Sequence, residues 1–129
     1  MPVSNYLMDS YALLEYLDGS ARGQKVRDIL ESERNKCFIL SENAAELVSV
    51  YLRRKWDPGP ALQLIHALSP LLLDMDSAED AGRIHAKMRE KDRHIGLIDA
   101  ILIAVARRHG LKIVTGDKDF RGVPEAILI

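Results

Sequence analysis

Short apolar runs alternate along this chain with longer segments of helical periodicity. Tyr6-Leu7-Met8 stops at Asp9, and Ser10 then opens a helical pattern carried by Ala12, Leu13, Leu14, Tyr16 and Leu17. Asp18-Gly19-Ser20 predicts a turn. Gln24 to Arg34, with only Val26, Ile29 and Leu30 as an apolar stripe, predicts a surface helix. Cys37 to Leu40 predicts a second strand, followed by a helix capped at Ser41 or Asn43 in which Ala44, Leu47, Val48, Tyr51 and Leu52 share one face. Trp56-Asp57-Pro58-Gly59-Pro60 breaks that helix, and Ala61 to Leu68 forms the next, with Pro60 near its first turn. Leu71-Leu72-Leu73 predicts a third strand ending at Asp74. Ser77-Ala78-Glu79-Asp80 opens a helix running to about Lys91 on Ala78, Ala81, Ile84, His85 and Met88.

The stretch from Gly96 to Phe120 is the most apolar of all. From about Ile95 to Arg108 a helix is predicted whose positions Ala100 to Ala106 leave no polar stripe, the pattern of a helix buried on all sides. Arg107, Arg108 and His109 complement the negative end of its dipole, and Gly110 supplies the left-handed stop. Lys112 to Thr115 then predicts a strand followed by Gly116-Asp117, and Ala126 to Ile129 closes an edge strand. Strands and helices in this alternation predict an α/β sandwich with a mostly parallel sheet. In such a fold, binding groups gather beyond the carboxyl ends of the strands.

Composition narrows the picture. A chain of 129 residues with 47% hydrophobic content predicts a single domain over residues 1–129. The lone Cys37 has no internal disulfide partner and sits in an apolar run, which favours a reducing compartment. No Lys or Arg precedes Arg22, and Asp9 and Glu15 interrupt the early apolar run, so a signal peptide or membrane span is not expected. The expectation is a cytoplasmic protein with no membrane partner. A net charge of −1 withholds the overall basic field common among nucleic-acid binders. Binding of a polyanion then needs local patches or bound cations. Arg53-Arg54-Lys55, Lys87 to Arg93 in alternation and Arg107-Arg108 are the candidate patches, most of them expected to be solvated helix faces or dipole partners.

Four carboxylates share a type of position. Asp9 ends the first strand, Glu46 and Asp99 occupy first helical turns, and Asp117 follows a late strand. A parallel α/β fold places all four at one rim of the sheet. Each also has a local explanation: first-turn acids suit the helix dipole, Asn43-x-x-Glu46 fits a capping box, and Gly-Asp suits a turn. As a set they raise an energetic problem, since two carboxylates about 4 Å apart repel by roughly 4 kcal/mol at an effective dielectric of about 20. Protons or cations must relieve it. Hard oxygen ligands select Mg²⁺ or Mn²⁺, whereas no histidine or cysteine spacing supports zinc. His94, the one histidine near the rim, is expected to start a helix. A pair of hard cations in such a site generates hydroxide and stabilises the leaving oxygen in phosphodiester cleavage.

Tyr6-Leu7-Met8-Asp9-Ser10, Ala45-Glu46-Leu47, the segment Leu97 to Ala104 with Asp99, and Val114-Thr115-Gly116-Asp117-Lys118-Asp119-Phe120 together resemble the PIN-domain ribonucleases, and most closely the VapC-like toxins of toxin-antitoxin pairs. The resemblance spans the whole chain. It implies a PIN-like three-layer α/β/α sandwich and a Mg²⁺- or Mn²⁺-dependent endoribonuclease in which Asp9, Glu46, Asp99 and Asp117 surround the metal. Asp9 and Asp99 would be the most direct ligands, with Glu46 and Asp117 binding a second metal or positioning water. Metal-activated water would cut RNA to a 3′-hydroxyl and a 5′-phosphate. Thr115 would orient an acid or a metal-bound water, and Asp119 is a secondary candidate alongside it. The resemblance further implies a homodimer and a cognate antitoxin, for which Tyr11, Leu14, Tyr51 and Trp56 are candidate apolar surface, with core packing expected for at least half of them. Gly116 departs from the family, which commonly has a basic residue there, so one phosphate contact is missing. No residue is assigned to substrate binding.

Two other functions remain open on the sequence. A phosphoacceptor signalling domain also has a parallel sheet and an acidic pocket, and Leu71-Leu72-Leu73-Asp74 ends a strand in an aspartate. It would require paired acids after the first strand and a lysine ending the last, but Ser10-Tyr11 follows Asp9 and Lys118 lies between two aspartates. A non-catalytic protein-binding module with structural acids is the second.

Overall fold

A computed structural model describes residues 4–91 and 93–129. Its strands are β1 (Ser4–Met8), β2 (Asn35–Leu40), β3 (Ser69–Leu71), β4 (Lys112–Thr115) and β5 (Ala126–Leu128). The helices are α1 (Ser10–Asp18), α2 (Ala21–Leu30), α3 (Ser41–Arg53), α4 (Gly59–Ala67), α5 (Met75–Glu90) and α6 (Leu97–His109). Among the described residues the strands form one sheet in the order β3-β2-β1-β4-β5, every pair parallel. The expected mostly parallel α/β/α sandwich is therefore present.

Alternation along the strands divides the core into two layers. On β1, Leu7 faces one cluster with Leu40, Leu102, Ile103, Ile113 and Phe120, while Met8 faces the other with Leu13, Val26, Ile39, Leu47 and Val114. Successive strand residues point to opposite faces, so a strand covered on both sides must be apolar throughout. Helices α1 to α4 cover the Met8 face, and α5 and α6 cover the Leu7 face. The chain reverses direction across the sheet between β1 and β4, which makes the mouth between their carboxyl ends the topological switch point, where ligands of open α/β sheets bind.

Several boundaries differ from the sequence expectation. Asp74 caps α5, its Oδ1 accepting from the Ser77 N–H at 2.7 Å, so that helix opens two residues earlier than Ser77. The strand expected at Leu71 to Leu73 is Ser69–Leu71, because pairing with Phe38 to Leu40 fixes its register and Leu72 turns outward. The surface helix ends at Leu30 rather than Arg34. Neither Ser41 nor Asn43 caps α3: Leu40 is the cap and both lie inside the first turn. The expected burial of α6 on all sides holds for Leu102 to Ala106, but Leu97 is 53% exposed and Ile98 and Ile101 are only partly covered, since the first turn projects past the sheet rim. Gly110, at φ 67, ends α6 as expected, and Arg107 and Arg108 pair with Glu125 and Asp80. Tyr51 and Leu14 pack with the core, while Trp56 and Tyr11 remain partly exposed. No helix among the described residues is long and apolar enough to cross a membrane.

Candidate metal centre

The switch point collects acids from four elements. Asp9 follows β1 directly, and its N–H donates to the Val114 carbonyl at 3.0 Å, which extends the β1–β4 ladder by one residue and fixes Asp9 beside Thr115. The Thr115 hydroxyl donates to Asp9 Oδ2 at 2.7 Å and accepts from the Asp117 N–H at 3.0 Å. A single buried hydroxyl thus couples the acids at the ends of the two strands.

Helix α3 supplies Glu46 from its second turn rather than its first, because the helix already opens at Ser41. Glu46 Oε1 accepts from Ser10 Oγ at 3.2 Å and from Asn43 Nδ2 at 3.0 Å, and the same two donors reach Asp9 Oδ1 at 3.5 Å. Asn43 is fully buried, and its Oδ1 has no hydrogen-bond partner among the described residues. A buried amide with half its capacity unused is costly, and here its Nδ2 group lies between two like charges. Ser10 and Asn43 were not anticipated as site residues. Their signal in the sequence was faint, a serine directly after Asp9 and an asparagine one turn before Glu46, each with an ordinary capping explanation.

Asp99 enters from the first turn of α6, where its Oδ2 accepts from the Gly96 N–H at 3.3 Å. Asp117 completes the set from the turn after β4, its Oδ1 accepting from the Asp119 N–H at 2.9 Å. Asp119 itself is exposed and meets Asp117 through its main chain. Gly116 is buried against Tyr11 and Arg22, and a Cβ there would lie 2.5 Å from Tyr11 Cε1. A side chain at this position would require Tyr11 and Arg22 to shift.

Burial and neighbouring charge raise two of the four acids. Burial pushes the Asp9 carboxyl up to about 6, with the charges of Glu46 and Asp117 adding to the rise against the Thr115 hydroxyl and Ser10 N–H. Burial also pushes Asp99 up to about 7, followed by the charge of Asp9 and then those of Asp117 and Glu46, while the Gly96 N–H opposes them. Asp99 thus feels the other three acids, and Asp9 feels Glu46 and Asp117, each from a different element. Among the described residues no three acidic, histidine or cysteine side chains converge on a common ligating point, because each carboxylate is turned toward a local donor. The donor chemistry nonetheless fits a hard cation: carboxylate and hydroxyl oxygens, with neither sulfur nor imidazole in the cluster.

Asp74 does not belong to this centre. It lies beyond β3, on the sheet edge and two strands from β1, and its oxygens accept from Ser77. A receiver-like layout pairs β3 with β1, so the sheet order removes the basis for the phosphoacceptor alternative.

The profile of the PIN domain family matches residues 6–126. Solved structures of the same fold include a toxin-antitoxin complex from Klebsiella pneumoniae, 22% identical with a TM-score of 0.72 over 95% of each chain. VapBC2 from Rickettsia felis, bound to a fragment of promoter DNA, is 18% identical with a TM-score of 0.76 over 97% of each chain. VapC20 from Mycobacterium tuberculosis, a toxin that cleaves the sarcin-ricin loop, is 20% identical with a TM-score of 0.72, covering 94% of this chain and 95% of that one. No curated protein sequence matches significantly.

Proposed function

This chain belongs to the PIN-domain family, and from that premise we propose that it is a Mg²⁺- or Mn²⁺-dependent endoribonuclease acting as the toxin of a VapBC-type pair. The observation that carries the reading is the raised pair Asp9 and Asp99, two carboxyls from different elements at the switch point: burial lifts both, Glu46 and Asp117 add to Asp9, and the charge of Asp9 adds to Asp99. Structural likeness to toxin-antitoxin complexes supports an antitoxin partner, and likeness to VapC20 supports RNA as substrate. A homodimer and a cytoplasmic location complete the proposal by family analogy.

Asp9 and Asp99 would hold the cation, with Glu46 and Asp117 at its flanks. Bound there, the cation supplies hydroxide near neutral pH and neutralises charge developing on the phosphate. The chain's own residues prepare the site. Thr115 holds one Asp9 oxygen, while Asn43 and Ser10, which reach the other at 3.5 Å, hold Glu46 close to Asp9 at the cost of two like charges. The Gly96 N–H stabilises ionised Asp99, and release of its proton accompanies cation binding. Because α6 is anchored in the core from Leu102 to Ala106, Asp99 is presented on rigid backbone.

The test is cleavage of RNA by purified protein in Mg²⁺ or Mn²⁺, with Asp9→Asn and Asp99→Asn alongside. Cleavage that requires the cation and disappears in both variants is expected. Equal cleavage by all three proteins would remove the assignment of the chemistry to Asp9 and Asp99, and no cleavage by any of them would leave the non-catalytic binding module as the better reading.

A further inference from the structure

Arg22 lies on α2, remote in sequence from all four acids, yet its guanidinium reaches the turn that carries Asp117. Nη2 donates to the Gly116 carbonyl at 2.8 Å and to the Ile129 main-chain oxygen at 3.2 Å, and Nε donates to the latter at 3.4 Å. Nη1 donates to the Tyr11 hydroxyl at 3.1 Å, and the guanidinium carbon lies 5.3 Å from the Tyr11 ring centroid. The packing around this contact is tight. A Cβ on Gly116 would meet Tyr11 Cδ1 at 2.6 Å and Arg22 Nη2 at 3.0 Å, so any other residue would displace the pair from this arrangement.

We propose that Arg22 is a positioning residue for Asp117, acting through the Gly116 main chain with Tyr11 as its platform. The inference rests on the acidic cluster being a cation site. The peptide unit leading into Asp117 is then held at both of its polar groups: Thr115 Oγ1 accepts from the Asp117 N–H, and Arg22 donates to the Gly116 carbonyl. Ring and cation also connect this turn to α1, which begins directly after Asp9. A planar fork is required, because one group must address Gly116, Ile129 and the Tyr11 hydroxyl together, and an ammonium cannot do so with the same geometry. Small displacements of groups that orient ligands cost far more in activity than in stability.

Arg22→Lys, Arg22→Ala and Tyr11→Phe test this. Mn²⁺ binding is measured calorimetrically without RNA, cleavage kinetics are measured with RNA, and amide hydrogen exchange is measured without metal. Arg22→Lys is expected to fold, to lose protection selectively at residues 116–119, to bind Mn²⁺ about tenfold more weakly and to lower kcat by a similar factor. Arg22→Ala should show the same pattern to a greater degree. KM for RNA should stay within about twofold. Tyr11→Phe should shift the same readouts less. Wild-type Mn²⁺ affinity, kcat and exchange in Arg22→Lys would overturn the proposal, as would a rise in KM alone in Arg22→Ala that lysine rescues, the signature of a phosphate contact. If the wild type neither binds Mn²⁺ nor cleaves RNA, the proposed function fails, and the exchange pattern still decides whether Arg22 holds the turn.

Discussion

Replacing Asp9 by asparagine keeps the shape of the acidic site and removes the charge that burial penalises most directly. Asp9 is 5% exposed and titrates near 6 in the native protein because of burial and the neighbouring charges of Glu46 and Asp117. In the unfolded chain an aspartate titrates near 4, so ionised Asp9 costs the metal-free native state roughly 2–3 kcal/mol at about pH 7.5. The native state binds more protons than the unfolded state between these two values. Stability therefore falls as pH rises from about 4 through about 6, and the deficit persists above that. The Asp9→Asn side chain would keep the strong bond from Thr115 to its oxygen and lose only the 3.5 Å contacts from Ser10 and Asn43. A net gain of about 1–2 kcal/mol is expected in the absence of metal, a rise in Tm of roughly 3–8 °C for a domain of this size. Calorimetric melts in chelator at about pH 7.5 and about pH 4 measure it: the gain should appear at the higher pH and vanish at the lower. Saturating Mn²⁺ should then stabilise the wild type and not the variant, reversing their order. A variant less stable than wild type by the same margin at both pH values, with and without Mn²⁺, would refute the argument that charge rather than packing governs this position.

Thr115→Val removes the hydroxyl shared by Asp9 and Asp117, and should cost about 1–3 kcal/mol in chemical denaturation while raising the Asp9 pKa further, visible by NMR titration. For wild type, the Mn²⁺-induced rise in Tm should be larger at about pH 7.5 than at about pH 5, where protons on Asp9 and on Asp99, pushed up to about 7, compete with the cation; Asp99→Asn should abolish most of it. Asp119→Asn should leave Mn²⁺ affinity within about twofold, because its contact with Asp117 is made by the main chain. Leu102→Ala, at a fully buried position under the sheet, should destabilise by about 2–5 kcal/mol in urea titration without changing cation affinity per folded molecule.

The alternation of strands and helices was legible along the chain for local reasons. A strand buried on both faces has no freedom to alternate polar with apolar residues, so Tyr6 to Met8, Cys37 to Leu40 and Ile113 to Val114 announce themselves as short apolar runs. The run Ala100 to Ala106 does the same for a covered helix, and Gly110 marks its end because a left-handed residue favours glycine. Asp9, Glu46, Asp99 and Asp117 were legible for a similar reason: an acid at the end of a strand or near the start of a helix has a defined address once the sheet is parallel.

What sequence alone left open are the quantities set by partners distant along the chain. The register of β3 depends on Phe38 to Leu40, so the end of that strand and the capping role of Asp74 could not be read from three leucines and an aspartate. Asn43 and Ser10 acquire their roles only when α3 is set against the end of β1, and Arg22 only when two main-chain oxygens 94 and 107 residues away are brought to it. Main-chain carbonyls carry no residue-type signature, and burial is a property of the assembled layers. The sequence by itself determined the alternation of elements and which acids end them; the tertiary structure decided that these acids share one field, and which uncharged neighbours hold them there.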